Sequence, residues 1–189
     1  MIETTNNRDD RNINAKIVIR KAEGKDAALL AELKQKISSE SDFLSYGEKE
    51  VVFTKETETE FIREEMKKGN SVIILAFCEN EIAGFVTCHG GNRVRKQHAG
   101  DMGIAVLKKY WGSGIGNALM NALILWAKET GVIRKINLLT RSDNDKAIHL
   151  YEKHGFCREG LISRDICINY KFYDAVAMGL CIDQNENKR

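Results

Sequence analysis

Residues 71–78 are continuously apolar through Val72, Ile73, Ile74 and Leu75, the pattern of a strand covered on both faces. Glu79-Asn80-Glu81 breaks the run, and residues 82–88 return as a second strand, which predicts a hairpin. Upstream, residues 17–19 read as a short strand. Residues 26–37 read as an amphipathic helix with Leu29, Leu30, Leu33 and Ile37 on one side. Residues 38–54 are irregular and carry Phe43, Leu44 and Tyr46; Thr57 with Glu60 then forms a capping-box pattern for a second helix that Gly69 ends. Downstream, a basic loop at 90–97 leads to a strand at 99–107. The most periodic segment of the chain follows: Ile115, Ala118, Leu119, Ala122, Leu123, Trp126 and Ala127 fall at helical spacing, and Gly131 stands where that helix stops. Residues 133–140 read as a strand. Ser142 and Asp145 open a helix that closes at Gly155, and residues 156–162 and 172–181 form the last two strands. The order predicts an α/β fold: antiparallel strands first, one βαβ unit, then a closing hairpin.

Composition adds bounds to this picture. The 189 residues suffice for one domain, expected over 16–182 between a disordered tail at 1–15 and a polar tail at 183–189. Hydrophobic residues make up 43% and charged residues 30%, and the net charge of +2 is spread along the chain, which argues against a nucleic-acid binder. No apolar run is long enough to span a bilayer, and the first sixteen residues lack the apolar stretch of a secretory signal, so the expectation is a cytoplasmic protein with no membrane partner. The five cysteines, Cys78, Cys88, Cys157, Cys167 and Cys181, are odd in number and not closely spaced, so neither a disulfide framework nor a metal site is expected. Most lie in apolar segments, which reads as buried free thiols. The loop at 92–97 (Asn-Arg-Val-Arg-Lys-Gln) reads as a solvated hairpin tip, with contact to an acidic partner or RNA as its alternative.

Trp111-Gly112-Ser113-Gly114-Ile115-Gly116-Asn117 joins a strand to the start of the strongest helix. Free N–H groups at a helix N-terminus attract anions, and alternating glycines let a phosphate come close. The competing reading is a flexible strand-to-helix turn. A Walker A loop is absent, and G-x-G-x-G-N is not the G-x-G-x-x-G of a dinucleotide site.

This loop resembles the coenzyme A pyrophosphate motif of the GNAT acetyltransferase superfamily, Gln/Arg-x-x-Gly-x-Gly/Ala. Gly114 and Gly116 stand at the two small positions, and Trp111 replaces the usual Gln or Arg. Residues 144–156 are similar to the family's Asn-x-x-Ala-x-x-x-Tyr-x-x-x-Gly-Phe segment, with Asn144, Ala147, Tyr151, Gly155 and Phe156 all in place. The resemblance covers about residues 17–182 and is most specific over 99–156. It implies a mixed, mostly antiparallel sheet splayed at its middle strands and flanked by about four helices. It also implies acetyl-CoA as co-substrate, with its pantetheine arm lying in the splay against backbone groups of Ile104, Ala105 and Val106. Residues 111–117, Asn144 and Lys146 would hold the rest of the coenzyme.

Acetyl transfer to an amine needs a neutral nucleophile, a polarised carbonyl and a proton for the leaving thiolate. The resemblance makes Tyr151 the acid for the sulfur, a transfer its phenol permits since phenol and thiol pKa values lie within about two units. An N–H at Ile104 or Ala105 would stabilise the developing oxyanion. Asp101, where many relatives carry Glu, is the candidate base, with His98 as second candidate; His89, His149 and His154 read as surface or structural. The expected acceptor is a small-molecule or peptide amine: a polyamine, an aminoglycoside, a protein N-terminus or a lysine. Asp42, Glu48, Glu50 and Asp174 are the acidic residues placed to draw it in. Either a monomer or a homodimer fits, and no exposed apolar stripe decides between them. Two alternatives stand beside this reading. One is a nucleotide-cofactor oxidoreductase with Arg141 near a ribose phosphate; the other is a non-catalytic acetyl-CoA sensor on the same fold.

Overall fold

The structure, a computed structural model, describes residues 16–183. The tail expected at 1–15 and all but Asp183 of the tail expected at 183–189 lie outside the described residues. In chain order the elements are β1 (Ile17–Lys21), a 3-10 turn (Gly24–Asp26), α1 (Ala27–Glu40), α2 (Lys55–Met66), β2 (Ser71–Cys78), β3 (Glu81–Gly90) and β4 (Ala99–Val106). A second 3-10 turn (Lys108–Tyr110), α3 (Ile115–Thr130), β5 (Lys135–Arg141), α4 (Asp145–Lys153), β6 (Cys157–Ile168) and β7 (Lys171–Cys181) complete them.

The strands form one seven-stranded sheet in the order β1-β2-β3-β4-β5-β7-β6. Every neighbouring pair is antiparallel except β4–β5, which α3 joins as a parallel crossover. The architecture is the expected mixed α/β one. The alternating faces of β2 and β3 split the core in two. Ile74, Ala76, Val86 and Cys88 pack with α3 and α4 on one face, while Ile73, Leu75, Phe77 and Phe85 pack with α1 and α2 on the other.

Several local expectations are corrected. The cap of α2 is Thr54, whose hydroxyl accepts from the Thr57 N–H at 3.2 Å while Thr57 answers to the Thr54 N–H, so the box is Thr54/Thr57 and not Thr57/Glu60. Helix α4 starts at Asp145 behind Asn144, because Ser142 gives its N–H to the Asp174 carbonyl and stays with β7. Strand β6 runs to Ile168, six residues past its predicted end. A two-residue turn with positive φ at Asn169 and Tyr170 pairs Ile168 with Lys171 and lets the ladder continue. Leu29 is exposed, and the inward stripe of α1 is Leu30, Leu33, Lys34 and Ile37. Only Cys78 and Cys88 are buried; Cys157, Cys167 and Cys181 are exposed, the first two on the edge strand β6. The β6–β7 hairpin also exposes Leu161, Ile162, Tyr170 and Phe172, an apolar patch that the sequence pattern did not disclose.

Candidate active site

Strands β4 and β5 pair only over Ala99↔Lys135, Gly100↔Ile136 and Asp101↔Asn137, and beyond that register they part. The Leu107 N–H donates to the Ala83 carbonyl and the Ala99 carbonyl accepts from Gly91, both toward β3. Alternation along β4 therefore turns the odd-numbered backbone groups to β3 and those of Met102, Ile104 and Val106 to the gap. Of the three backbone positions expected to meet a pantetheine arm, Ile104 and Val106 face the gap and Ala105 belongs to the β3 ladder opposite Phe85. The oxyanion donor narrows to the Ile104 N–H for the same reason.

At the far end of the gap the glycine loop enters α3. Gly112 and Gly114 have φ of 79° and 87°, the left-handed region that L side chains avoid. That conformation presents the N–H groups of Gly114, Ile115, Gly116 and Asn117 at the helix start, and none of them has an acceptor among the described residues. Gly116 serves packing: a Cβ there would stand 3.2 Å from the Leu150 side chain, so its absence lets α3 approach α4. The buried Asn117 Oδ1 lacks a hydrogen-bond partner. Unsatisfied donors, an orphaned carboxamide oxygen and an unpaired strand edge together fit a polar, phosphate-bearing ligand with an extended amide arm.

Trp111 does more than replace a polar residue. Its indole N–H donates to the Val106 carbonyl at 2.8 Å, occupying one of the acceptors that face the gap, and the Lys146 ammonium lies 5.8 Å from its ring centroid. Trp111 and Lys146 thus flank the mouth of the loop together. Asn144 is spent locally, donating to the Thr140 hydroxyl at 3.3 Å.

Tyr151 projects from α4 into the core cluster that contains Ile104 and Val106 and lines the cleft, its ring 6.0 Å from that of Phe156. Burial pushes its phenol up to about 12, so it carries its proton at any physiological pH. It is a donor throughout.

On the opposite face of β4, Asp101 stands across from His89 on β3 and accepts a hydrogen bond from Asn137 Nδ2 at 3.3 Å. His89 Nδ1 lies 2.8 Å from Oε2 of the buried Glu65 on α2. Burial raises the Glu65 carboxyl, but hydrogen bonds from Lys68 and His89 outweigh it and hold it below its ordinary value. An ionised carboxylate only accepts, so Nδ1 donates to Glu65 and Nε2 is the ring nitrogen not engaged by that contact. His89, expected from the sequence as a surface or structural residue, is held by Glu65 on α2, a partner 24 residues away that the sequence pattern does not pair with it. His98 lies elsewhere. It lines a separate depression with Val94, Gln97, Gly131, Val132 and Arg134, so it is removed as a candidate base.

One cleft of about 4030 Å³ connects these parts, far larger than a single small-molecule site and roomy enough for two substrates. Its wall on the α1/α2 side is aromatic, with Phe43, Tyr46, Phe53, Phe61 and Phe85. Asp42, Glu48, Glu50 and Asp174 do not line it. Asp174 instead caps the Arg164 N–H, and Glu50 holds the Gly47 N–H. Arg141 is also committed: it forks onto Asp143, donates to the Asp42 carbonyl, and is stacked between Phe43 and Tyr173, which withdraws it from any ribose phosphate. No group of three His, Cys, Asp or Glu side chains is placed to hold a metal ion among the described residues, and no described helix is long and apolar enough to cross a membrane.

Comparison with known proteins gives a consistent result. The model of the Acetyltransferase (GNAT) family matches residues 38–156, well over half of the chain. The chain is 30% identical over 105 residues to the L-amino acid N-acetyltransferase AaaT of Escherichia coli, a match that covers 56% of this chain and 65% of that protein, just under two thirds of its length. Among solved structures, an acetyltransferase of the GNAT family from Streptococcus pneumoniae superposes with a TM-score of 0.84 at 36% identity, covering 87% of this chain and 98% of that one. The protein yncA of Salmonella typhimurium, described with its cofactor acetyl-CoA, shares the fold at a TM-score of 0.80 and 15% identity, covering 92% and 98%.

Proposed function

This chain belongs to the acetyltransferase (GNAT) family, and on that premise we propose that it is an acyltransferase moving the acetyl group of acetyl-CoA onto a primary amine by direct transfer in a ternary complex. The observation that carries the reading is the gap between β4 and β5, open beyond Asp101↔Asn137 and ending at the unsatisfied N–H groups of residues 114–117. The yncA structure, described with its cofactor acetyl-CoA, supports acetyl-CoA as the co-substrate. The N–H groups of residues 114–117 hold the pyrophosphate, Lys146 and Trp111 flank it, and Ile104 with Val106 faces the pantetheine arm.

The residues divide the chemistry between them. The Ile104 N–H donates to the thioester oxygen as negative charge builds there. Asp101, with His89 opposite it, accepts the proton that the ammonium must lose before its nitrogen can attack, through water where the gap requires it. The new C–N bond forms as the C–S bond breaks, Tyr151 delivers its proton to the departing sulfur, and the proton that the acylated nitrogen then sheds restores the Tyr151 phenol. Because both substrates are held at once, orientation supplies much of the acceleration and no enzyme-bound acyl group is needed. The buried Cys88 does not enter: burial and the Asp101 charge push its thiol up to about 12, which keeps it an unreactive thiol.

Thermal unfolding with acetyl-CoA, coenzyme A, NADPH and ATP tests this. A ligand of the native state at a hundredfold excess over Kd adds about 2.7 kcal/mol, several degrees in Tm. The expected result is a rise with acetyl-CoA and coenzyme A alone. No rise with either would overturn the proposal, and a rise with NADPH alone would return the oxidoreductase reading.

A further inference from the structure

Lysine rarely sits on the buried face of a helix, yet Lys34 occupies the inward stripe of α1 between Leu30 and Ile37. Its ammonium donates to Glu58 Oε2 at 2.9 Å, and the two side chains keep only 11% and 4% exposure. The remaining surroundings are aromatic: the nitrogen lies 4.3 Å from the ring centroid of Phe61, 5.4 Å from Phe53 and 5.7 Å from Phe85. An ammonium has three donors, and only one of these meets an oxygen. Aromatic faces attract the charge but do not replace the missing acceptors. Lys34 itself lines the cleft, whereas Glu58 does not, so the unused donors are reachable from the substrate side.

The position of this cation relative to the transfer point gives it meaning. Phe85, one wall of the aromatic box, pairs across the ladder with Ala105, next to the Ile104 N–H. Phe61 holds Lys34 on one side and the His89 ring on another, at 5.6 Å between centroids. The pocket therefore has a basic end at Lys34 and a proton-accepting end at Asp101 and His89, with Gly103 between them opposite Thr87.

We propose that Lys34, oriented by Glu58, is the subsite for a carboxylate on the acceptor, and that the acceptor class is an α-amino acid with an apolar side chain. The inference rests on the acetyl-transfer reading above and specifies its second substrate. A carboxylate satisfies the two unused donors, and the amino group two bonds away is brought toward Asp101. The side chain lies against Tyr46 and Phe53. A polyamine would set a second cation beside a buried ammonium, and the acidic residues once expected to welcome it lie outside the cleft.

The test is acetyl transfer to L-leucine, L-leucinamide and spermidine by the wild-type protein and by the double variant Lys34→Met/Glu58→Gln. Exchanging a buried ion pair for neutral groups of like volume is usually tolerated, and the Tm with and without coenzyme A checks that fold and coenzyme site survive. In the wild type, kcat/KM for leucine exceeds that for leucinamide by about tenfold or more, the value of one charged hydrogen bond, and exceeds that for spermidine further. In the double variant the leucine-to-leucinamide ratio falls to near one while the coenzyme A shift is kept. A wild type that prefers leucinamide or spermidine, a double variant that retains the preference, or coenzyme A binding with no acetylation of leucine would each overturn the proposal and leave acetyl transfer standing. Absence of any coenzyme A shift would remove both.

Discussion

The glycine loop at 111–117 and the aromatic box around Lys34 face the same cleft, but they are assembled differently. The loop is seven consecutive residues whose function is mostly backbone. Its donors exist because a helix must leave its first N–H groups unpaired, and its shape comes from glycines at φ of 79° and 87°. The box is made from α1, α2, β3 and the irregular segment after α1, and it works through side chains from separate elements, such as Lys34 and Glu58, 24 residues apart. The contrast teaches where specificity resides. On the proposed reading, a co-substrate common to a family is gripped by a local element, while the acceptor is selected by a surface that only packing creates.

The two regions are separable by mutation. The largest expected effect lies where they meet, at Tyr151. Tyr151→Phe lowers kcat by about 10²- to 10⁴-fold, the range of a lost acid, and leaves the coenzyme A shift in Tm unchanged. The same variant tests the buried phenol by pH. The folded-state pKa of about 12 stands above the ordinary 10.0 of the unfolded chain, so the associated stability is fully present below pH 10 and lost as pH rises from 10 through 12. Wild type loses about 2 to 3 kcal/mol from this group in denaturant titrations across that window, and the Phe variant does not. The raised Cys88 thiol adds a loss common to both proteins and cancels in the difference. An equal alkaline loss in the two would contradict the burial argument.

A smaller effect belongs to the coenzyme region alone. Gly114→Ala places a Cβ on a left-handed residue, which costs roughly 1–2 kcal/mol, and should weaken coenzyme A binding about tenfold by calorimetry, with the KM for the amine little changed. The smallest belongs to the acceptor region. Asp101→Asn and His89→Gln each reduce kcat/KM for the amine by roughly tenfold or less, and the double variant falls short of the product of the two because the residues serve one proton. Full additivity would mean that they act apart, and a changed affinity for coenzyme A in either would blur the division between the regions.

What could be read from one dimension was whatever repeats or is contiguous. The strand of Ser71–Cys78 was legible because both its faces are apolar, α3 because its stripe persists for four turns, and the proposed coenzyme half because residues 111–117 and 144–156 are each a single motif. Cap positions were less legible, since Thr54, Thr57 and Glu60 all suit a cap and only the hydrogen bonds choose among them. The four acidic residues looked suitable for an acceptor because charge is visible in a sequence and direction is not.

By itself, then, the sequence determined the class of fold, the order of its elements and the glycine loop at the head of α3, because hydrophobic period and glycine placement act over a few residues. Tertiary structure alone decided which backbone groups of β4 face the gap, that the Trp111 indole occupies the Val106 carbonyl, that His89 is held by Glu65, and that a lysine and a glutamate meet among the aromatic rings between α1 and α2. Each of these depends on partners distant in the chain or on strand register, and neither exists until the sheet has formed and the helices have packed against it.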